Sequence, residues 1–217
     1  MTRIIIIRHG QSEANQKDVF AGHSDFDLTA LGRDQARAAA EYLYKTEKID
    51  AIYSSDLKRA FHTASPISEI FSIPAVADIG LREMFAGKWE SLTFTEIAEN
   101  YPNDFAVWKS DYSKARPTGG ESAAEVYRRI VPHITELARA YDGKTLLIST
   151  HATVLRAFTA YSMGYFAEES GKVPFSRNAS INIFEYDQST DTATAIARDL
   201  TDHLGDMVLN IHPLINA

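Results

Sequence analysis

The residues best suited to chemistry stand near the front of the chain, in Arg8-His9-Gly10-Gln11-Ser12-Glu13-Ala14-Asn15. A neutral histidine is a competent nucleophile at physiological pH and can carry a transferred phosphoryl group. An arginine beside it offers a planar, permanently charged fork that matches phosphate oxygens. His9 next to Arg8 therefore suits phosphoryl transfer. Taken alone the dipeptide is weak evidence, because such residues are more often solvated surface charges or packed histidines.

The elements that must position these groups follow from patterning. Residues 4–7 are four consecutive isoleucines, the signature of a short strand buried on both faces. Ligands bind at the carboxyl ends of strands in open α/β sheets, so this strand delivers Arg8 and His9 to such an edge. Neighbouring residues on a strand point to opposite faces. For both to reach one ligand the backbone must leave strand geometry, and Gly10 is expected to permit the bend. Beyond a polar loop over 19–28, Thr29 reads as the N-cap of a helix over 30–45. A strand follows at 51–54, then a helix carrying Arg59 that Pro66 is expected to kink or divide. A strand at 75–79 and short helices at 94–100 and 103–109 come next. Ser122 and Glu125 have capping-box spacing and open a helix to about Tyr141, with a bend expected at Pro132. A strand at 145–149, a helix at 152–163 and paired strands at 180–186 and 192–199 complete the pattern; the tail after Leu200 gives no clear signal. Alternating strands and helices imply an α/β, three-layer sandwich, with a mostly parallel central sheet and helices on both faces. The chain reads as one domain over 1–217 with a cap-like insertion at about 81–120.

Composition narrows the options. The 217 residues carry a net charge of −7 and are 45% hydrophobic, which suits a globular core and argues against general nucleic-acid binding or an anionic membrane surface. With no cysteine, disulfides, thiol nucleophiles and thiolate metal sites are excluded. Neither a signal-peptide layout nor an apolar run of membrane-spanning length is present, so a cytoplasmic location is expected.

Arg8-His9-Gly10 with Ser12 and Asn15 after a buried strand resembles the signature of the histidine phosphatase superfamily, which contains the cofactor-dependent phosphoglycerate mutases and many small phosphatases. Tyr53-Ser54-Ser55-Asp56-Leu57-Lys58-Arg59-Ala60, Leu81-Arg82-Glu83 with Trp89-Glu90, and Thr150-His151-Ala152 resemble its later blocks in order. The resemblance implies a phosphoglycerate mutase-like fold and a metal-independent phosphatase needing no cofactor. Its catalytic residues would be His9 as the phosphorylated nucleophile, Glu83 as proton donor, and Arg8, Arg59 and His151 on the phosphoryl oxygens. Ser12, Asn15, Ala21 and Gly22 would bind the phosphate. The partner would be a small-molecule phosphate monoester, without nucleic acid or membrane; a homo-oligomer stays compatible. Ala152 and Ser91 stand where most members have glycine. Gly119-Gly120-Glu121-Ser122 and Asn178-Ala179-Ser180 also match family blocks and read as structural.

Other readings compete. A mutase uses the same machinery, but resembling mutases place basic and tyrosine residues where Met84-Phe85-Ala86 stand and carry a longer insertion. A serine hydrolase would need a second glycine at Ala14 to complete a nucleophile elbow around Ser12. A non-catalytic phospholigand-binding module sits poorly with a full set of catalytic side chains. A metallohydrolase lacks paired-histidine spacing among the seven histidines.

Overall fold

A computed structural model describes residues 1–211. Strand β1 (Thr2–Arg8) lies inside a six-stranded sheet with β2 (Ala51–Ser54), β3 (Ala75–Ala77), β4 (Thr145–Thr150), β5 (Ile181–Asp187) and β6 (Thr192–Leu200), in the order β3-β2-β4-β1-β5-β6. Pairings among β1 to β4 are parallel; β5 runs antiparallel to both β1 and β6. The isoleucine run is fully buried because both faces of the sheet are covered. Ile4 and Ile6 share a core with residues of α6 (Ala123–Ala140) and α7 (Ala152–Ser162), among them Ile130, Ile134 and Phe158. Ile5 and Ile7 join Ala39 and Leu43 of α2 (Ala30–Thr46) and Ala64 and Ile67 of α3 (Lys58–Phe71) on the other face. The expected three-layer α/β architecture is therefore present. Among the described residues no helix is long and apolar enough to cross a membrane.

Register sets the working edge. Arg8 pairs with Thr150 and Ser54 with Ser149, so β1, β2 and β4 end level with one another. The segments that follow them, His9-Gly10, Ser55 and His151, leave from the same edge. The stretch after β3 packs on the α6 and α7 side. It includes α4 (Phe94–Asn100) and α5 (Pro102–Ser110), and its Leu81, Met84, Trp89, Ile97 and Trp108 join the core of Ile4 and Ile6.

Several local expectations change. The expected strand at 75–79 stops at Ala77 and gives way to a 3₁₀ turn over Ile79–Leu81, opened by Asp78, whose carboxylate accepts from Gly80 N–H at 2.8 Å. Neither Pro66 nor Pro132 divides its helix. The carbonyl deprived of a donor by Pro66 belongs to His62, a partly exposed residue. A four-residue helix, α1 (Glu13–Gln16), follows Ser12 and lacked a periodic signal because it is one turn long. Ser91, at a glycine position of the resembling family, adopts φ +64°, while Ala152 sits in ordinary helix at the start of α7.

Gly10 is needed for a different reason from the one expected. Its φ is not in the left-handed region. Instead a Cβ there would meet the Gly32 carbonyl oxygen at 2.5 Å, and a Cβ on Gly32 would meet the Gln11 oxygen at 2.0 Å. The two glycines let the loop after β1 lie directly on the start of α2. Gly10→Ala should lower the unfolding free energy by about 1–3 kcal/mol; a denaturant midpoint unchanged from the parent would contradict this contact.

Candidate active site

Where β1 ends, His9 N–H still donates to Thr150 O at 2.9 Å, while Gly10 N–H turns to Thr63 Oγ1 at 3.0 Å. The His9 ring is 4% exposed. Its Nδ1 lies 2.7 Å from the Gly10 carbonyl oxygen. A carbonyl can accept but not donate, so Nδ1 carries the proton and Nε2 is the unprotonated nitrogen, open to a cavity. Burial, then the charges of Arg59 and Arg8, hold the His9 pKa well below the ordinary value; the Gly10 carbonyl pulls weakly the other way.

That cavity is lined by Arg8, His9, Ser12, Asn15, Ala21, Gly22, Arg59 and Glu83, with an outer wall of aromatic and aliphatic side chains. Arg8 and Arg59 are almost wholly buried. Arg8 Nη1 donates to Ser176 O at 2.6 Å; Arg59 Nη1 and Nη2 donate to Ser24 O at 2.9 Å and Gly22 O at 2.7 Å. Burial lowers both guanidinium pKa values to about 10, partly offset by the Glu83 carboxylate, so both stay charged at neutral pH. Arg59 is the second residue of α3, whose first N–H, on Lys58, is taken by the Asp25 carboxylate at 2.7 Å.

Glu83 reaches the site from the loop after β3. Its Oε1 accepts from Met84 N–H at 2.8 Å and its Oε2 from Thr153 N–H at 3.3 Å, so the carboxylate rests on the N-terminal turn of α7, where the helix dipole favours an anion. His151, the N-cap residue of α7, is fully buried and does not line the cavity. Its ring stands edge-on to that of His9, centroids 5.3 Å apart. Nε2 meets Ser55 Oγ at 2.8 Å, and Nδ1 has no protein partner. Burial, with the charges of Arg59 and His9 after it, pushes its pKa well down.

The expected phosphate-binding residues divide by what they can offer. Asn15 Oδ1 accepts from Ser12 N–H at 3.1 Å, Ser12 Oγ at 3.0 Å and Asn178 Nδ2 at 3.1 Å, which leaves the Asn15 Nδ2 donors for the cavity. The Ser12 hydroxyl is committed to Asn15 and meets no histidine, an arrangement unlike an activated serine nucleophile. Ala21 and Gly22 N–H groups donate to no acceptor among the described residues.

Four supporting residues escaped the sequence reading of the site. Asn178 sits within hydrogen-bonding distance of His9 O, Gly10 O and Asn15 Oδ1; its only signal was membership of a block read as structural. Gln35 accepts from Gln11 N–H at 2.8 Å. Glu90 accepts from His23 N–H at 2.8 Å and Ser24 Oγ at 2.9 Å, fastening the Arg59-binding loop. Arg129 donates to the carbonyls of Arg82 and Glu83, both at 2.9 Å, from α6. The last three act across long sequence separations that no local pattern marks.

Comparison with known proteins agrees with this geometry. The model of the histidine phosphatase superfamily, branch 1, matches residues 4–199. Phosphoserine phosphatase 1 of Hydrogenobacter thermophilus is 29% identical over 215 residues, covering 99% of this chain and 100% of that protein. A metal-independent phosphoserine phosphatase of Arabidopsis thaliana is 34% identical over 185 residues, 84% of this chain and 76% of that one. The solved structure of Bacillus stearothermophilus YhfR matches with a TM-score of 0.87 at 27% identity, covering 94% of this chain and 100% of that chain. Family match, fold and site chemistry converge: the chain belongs to branch 1 of the histidine phosphatase superfamily and is a phosphatase of that family.

Proposed function

We propose that this phosphatase hydrolyses small phosphate monoesters by two displacements at phosphorus, without a metal. The observation that carries the reading is the His9 ring, fixed through Nδ1–H to the Gly10 carbonyl so that an unprotonated Nε2 meets a cavity flanked by Arg8, Arg59, Asn15 and Glu83. In the first step the ester enters as its monoanion and passes its proton to the Glu83 carboxylate; Nε2 attacks phosphorus in line, and the P–O bond to the alcohol breaks as Glu83 hands that proton to the departing oxygen. The guanidinium groups, Asn15 Nδ2 and the Ala21 and Gly22 N–H groups spread the phosphoryl charge. His151, edge-on to His9 with Nε2 on Ser55, lies outside the cavity lining and packs against the nucleophile's ring. In the second step Glu83 carboxylate takes a proton from water, the water oxygen bonds to phosphorus, and the P–N bond breaks to restore neutral His9. The segment at about 81–120 supplies Glu83 and much of the wall that keeps bulk water out.

A phosphate-release screen over alkyl and aryl monoesters tests the reading. Turnover should persist in EDTA, His9→Ala should lose at least about 10³-fold in kcat, and Glu83→Gln should lose about 10²–10⁴-fold on alkyl esters. Loss of activity in EDTA, or isomerisation of 3-phosphoglycerate without phosphate release, would contradict it. A second expectation concerns charge. A depressed pKa keeps an imidazole neutral to lower pH, so His9 and His151 should remain unprotonated at pH 6.0 in an NMR titration, below the ordinary midpoint of 6.5. Midpoints at or above 6.5 would contradict the burial argument.

A further inference from the structure

The cavity lining is of two unlike kinds. Arg8 and Arg59 bring charge, Arg8 on the carbonyl of Ser176 and Arg59 on those of Ser24 and Gly22. Val19, Phe20, Phe94, Trp108, Ala152 and Phe175 are apolar, with the neutral Thr153 beside them. No third cation lines it among the described residues. The nearby Arg156 lies under the rings: its guanidinium carbon is 3.9 Å from the Tyr112 centroid and 4.2 Å from that of Phe175, with Nε and Nη2 held by the carbonyls of Ser170 and Gly171. That charge stiffens the wall from behind and does not line the cavity. The wall is also locked edge-to-face, with centroids 5.2 Å apart for Phe20–Trp108, 5.1 Å for Trp108–Tyr112 and 5.3 Å for Tyr112–Phe175.

From this asymmetry we infer that the physiological substrate is a phosphate monoester of an uncharged, largely apolar alcohol, and that esters carrying a carboxylate on the alcohol are poor substrates. The inference rests on the phosphatase reading and deepens it. A carboxylate beside the scissile ester would have to shed water among ring edges with no cation to meet it, which is costly. A hydrocarbon or aromatic ring there replaces water with preorganised ring contacts, which is favourable. Trp108 Nε1 is buried without a protein acceptor, and it and Thr153 are uncharged donors, suited to a carbonyl, ether or hydroxyl oxygen. The phosphoserine phosphatases to which the chain is similar are named for an amino-acid ester; this wall separates the present chain from that substrate.

The test compares kcat/KM for 2-phenylethyl phosphate, ethyl phosphate, O-phospho-L-serine and 3-phosphoglycerate. All four are alkyl esters, so leaving-group activation does not favour the ring. Phenylethyl phosphate should exceed phosphoserine and 3-phosphoglycerate by at least about 100-fold and ethyl phosphate by about 10-fold. Val19→Lys, which places a cation on the wall, should narrow the phenylethyl-to-phosphoserine ratio by about 10-fold. The parent protein's own ratio decides the matter if that variant does not fold. Phosphoserine or 3-phosphoglycerate turned over as well as the phenylethyl ester would overturn the substrate inference and leave the phosphatase reading standing. Failure to release phosphate from any monoester would overturn both.

Discussion

Two guanidinium groups buried at one end of a sheet are the constraint on which the rest of this structure depends. Arg8 and Arg59 have given up hydration, and their charges weigh on each other and on His9. Such an arrangement persists only if the surroundings replace the lost water. Here carbonyls of Ser176, Gly22 and Ser24 hold the forks, and Glu83 supplies the opposite charge. On the proposed mechanism a phosphoryl group entering this edge would find positive charge already oriented, with little reorganisation left to do as it transfers. Burial first, and this field second, hold the His9 imidazole neutral, the state the proposed nucleophile needs.

The loops around the cations are fixed by cross-links that begin far away in sequence. Glu90 fastens the loop whose carbonyls grip Arg59; a Cβ at Gly22 would lie 2.6 Å from Glu90 Oε1, so the loop closes onto this carboxylate with no room for a side chain. Arg129, itself paired with Glu121 at 2.7 Å, holds the backbone on which Glu83 rides. Asn178 ties the backbone of His9 and Gly10 to Asn15. Each contact positions a residue that itself faces the cavity.

How much of this was legible in the sequence follows from the range of the interactions. Residues 4–7 announce a doubly covered strand because hydrophobic patterning is local, and the capping box at Ser122 and the N-cap at Thr29 are local too. Arg8, His9, Arg59 and Glu83, which line one cavity, were picked out through the order of their blocks. What was hidden is long-range or subtle. Gly10 looked like a bend, but its constraint is a close approach to Gly32, which only the folded backbone reveals. Ser12 looked like a phosphate ligand, but its hydroxyl is spent on Asn15. His151 was expected on the phosphoryl oxygens; its ring stands edge-on to His9 with Nε2 on Ser55, outside the cavity lining. Pro66, expected to kink or divide its helix, does not divide it and stands between the buried Ala64 and Ile67 of α3.

Phosphorus bonded to His9 Nε2 during turnover is the central claim. Rapid-quench mixing with a ³²P-labelled alkyl monoester tests it most directly, followed by peptide mapping under alkaline conditions that preserve phosphoramidate bonds. The expected result is an acid-labile label that maps to the peptide containing His9 and appears in a burst before phosphate release. Label on Ser12, or phosphate release with no bound label at any quench time under substrate saturation and with product release shown to be fast, would contradict it.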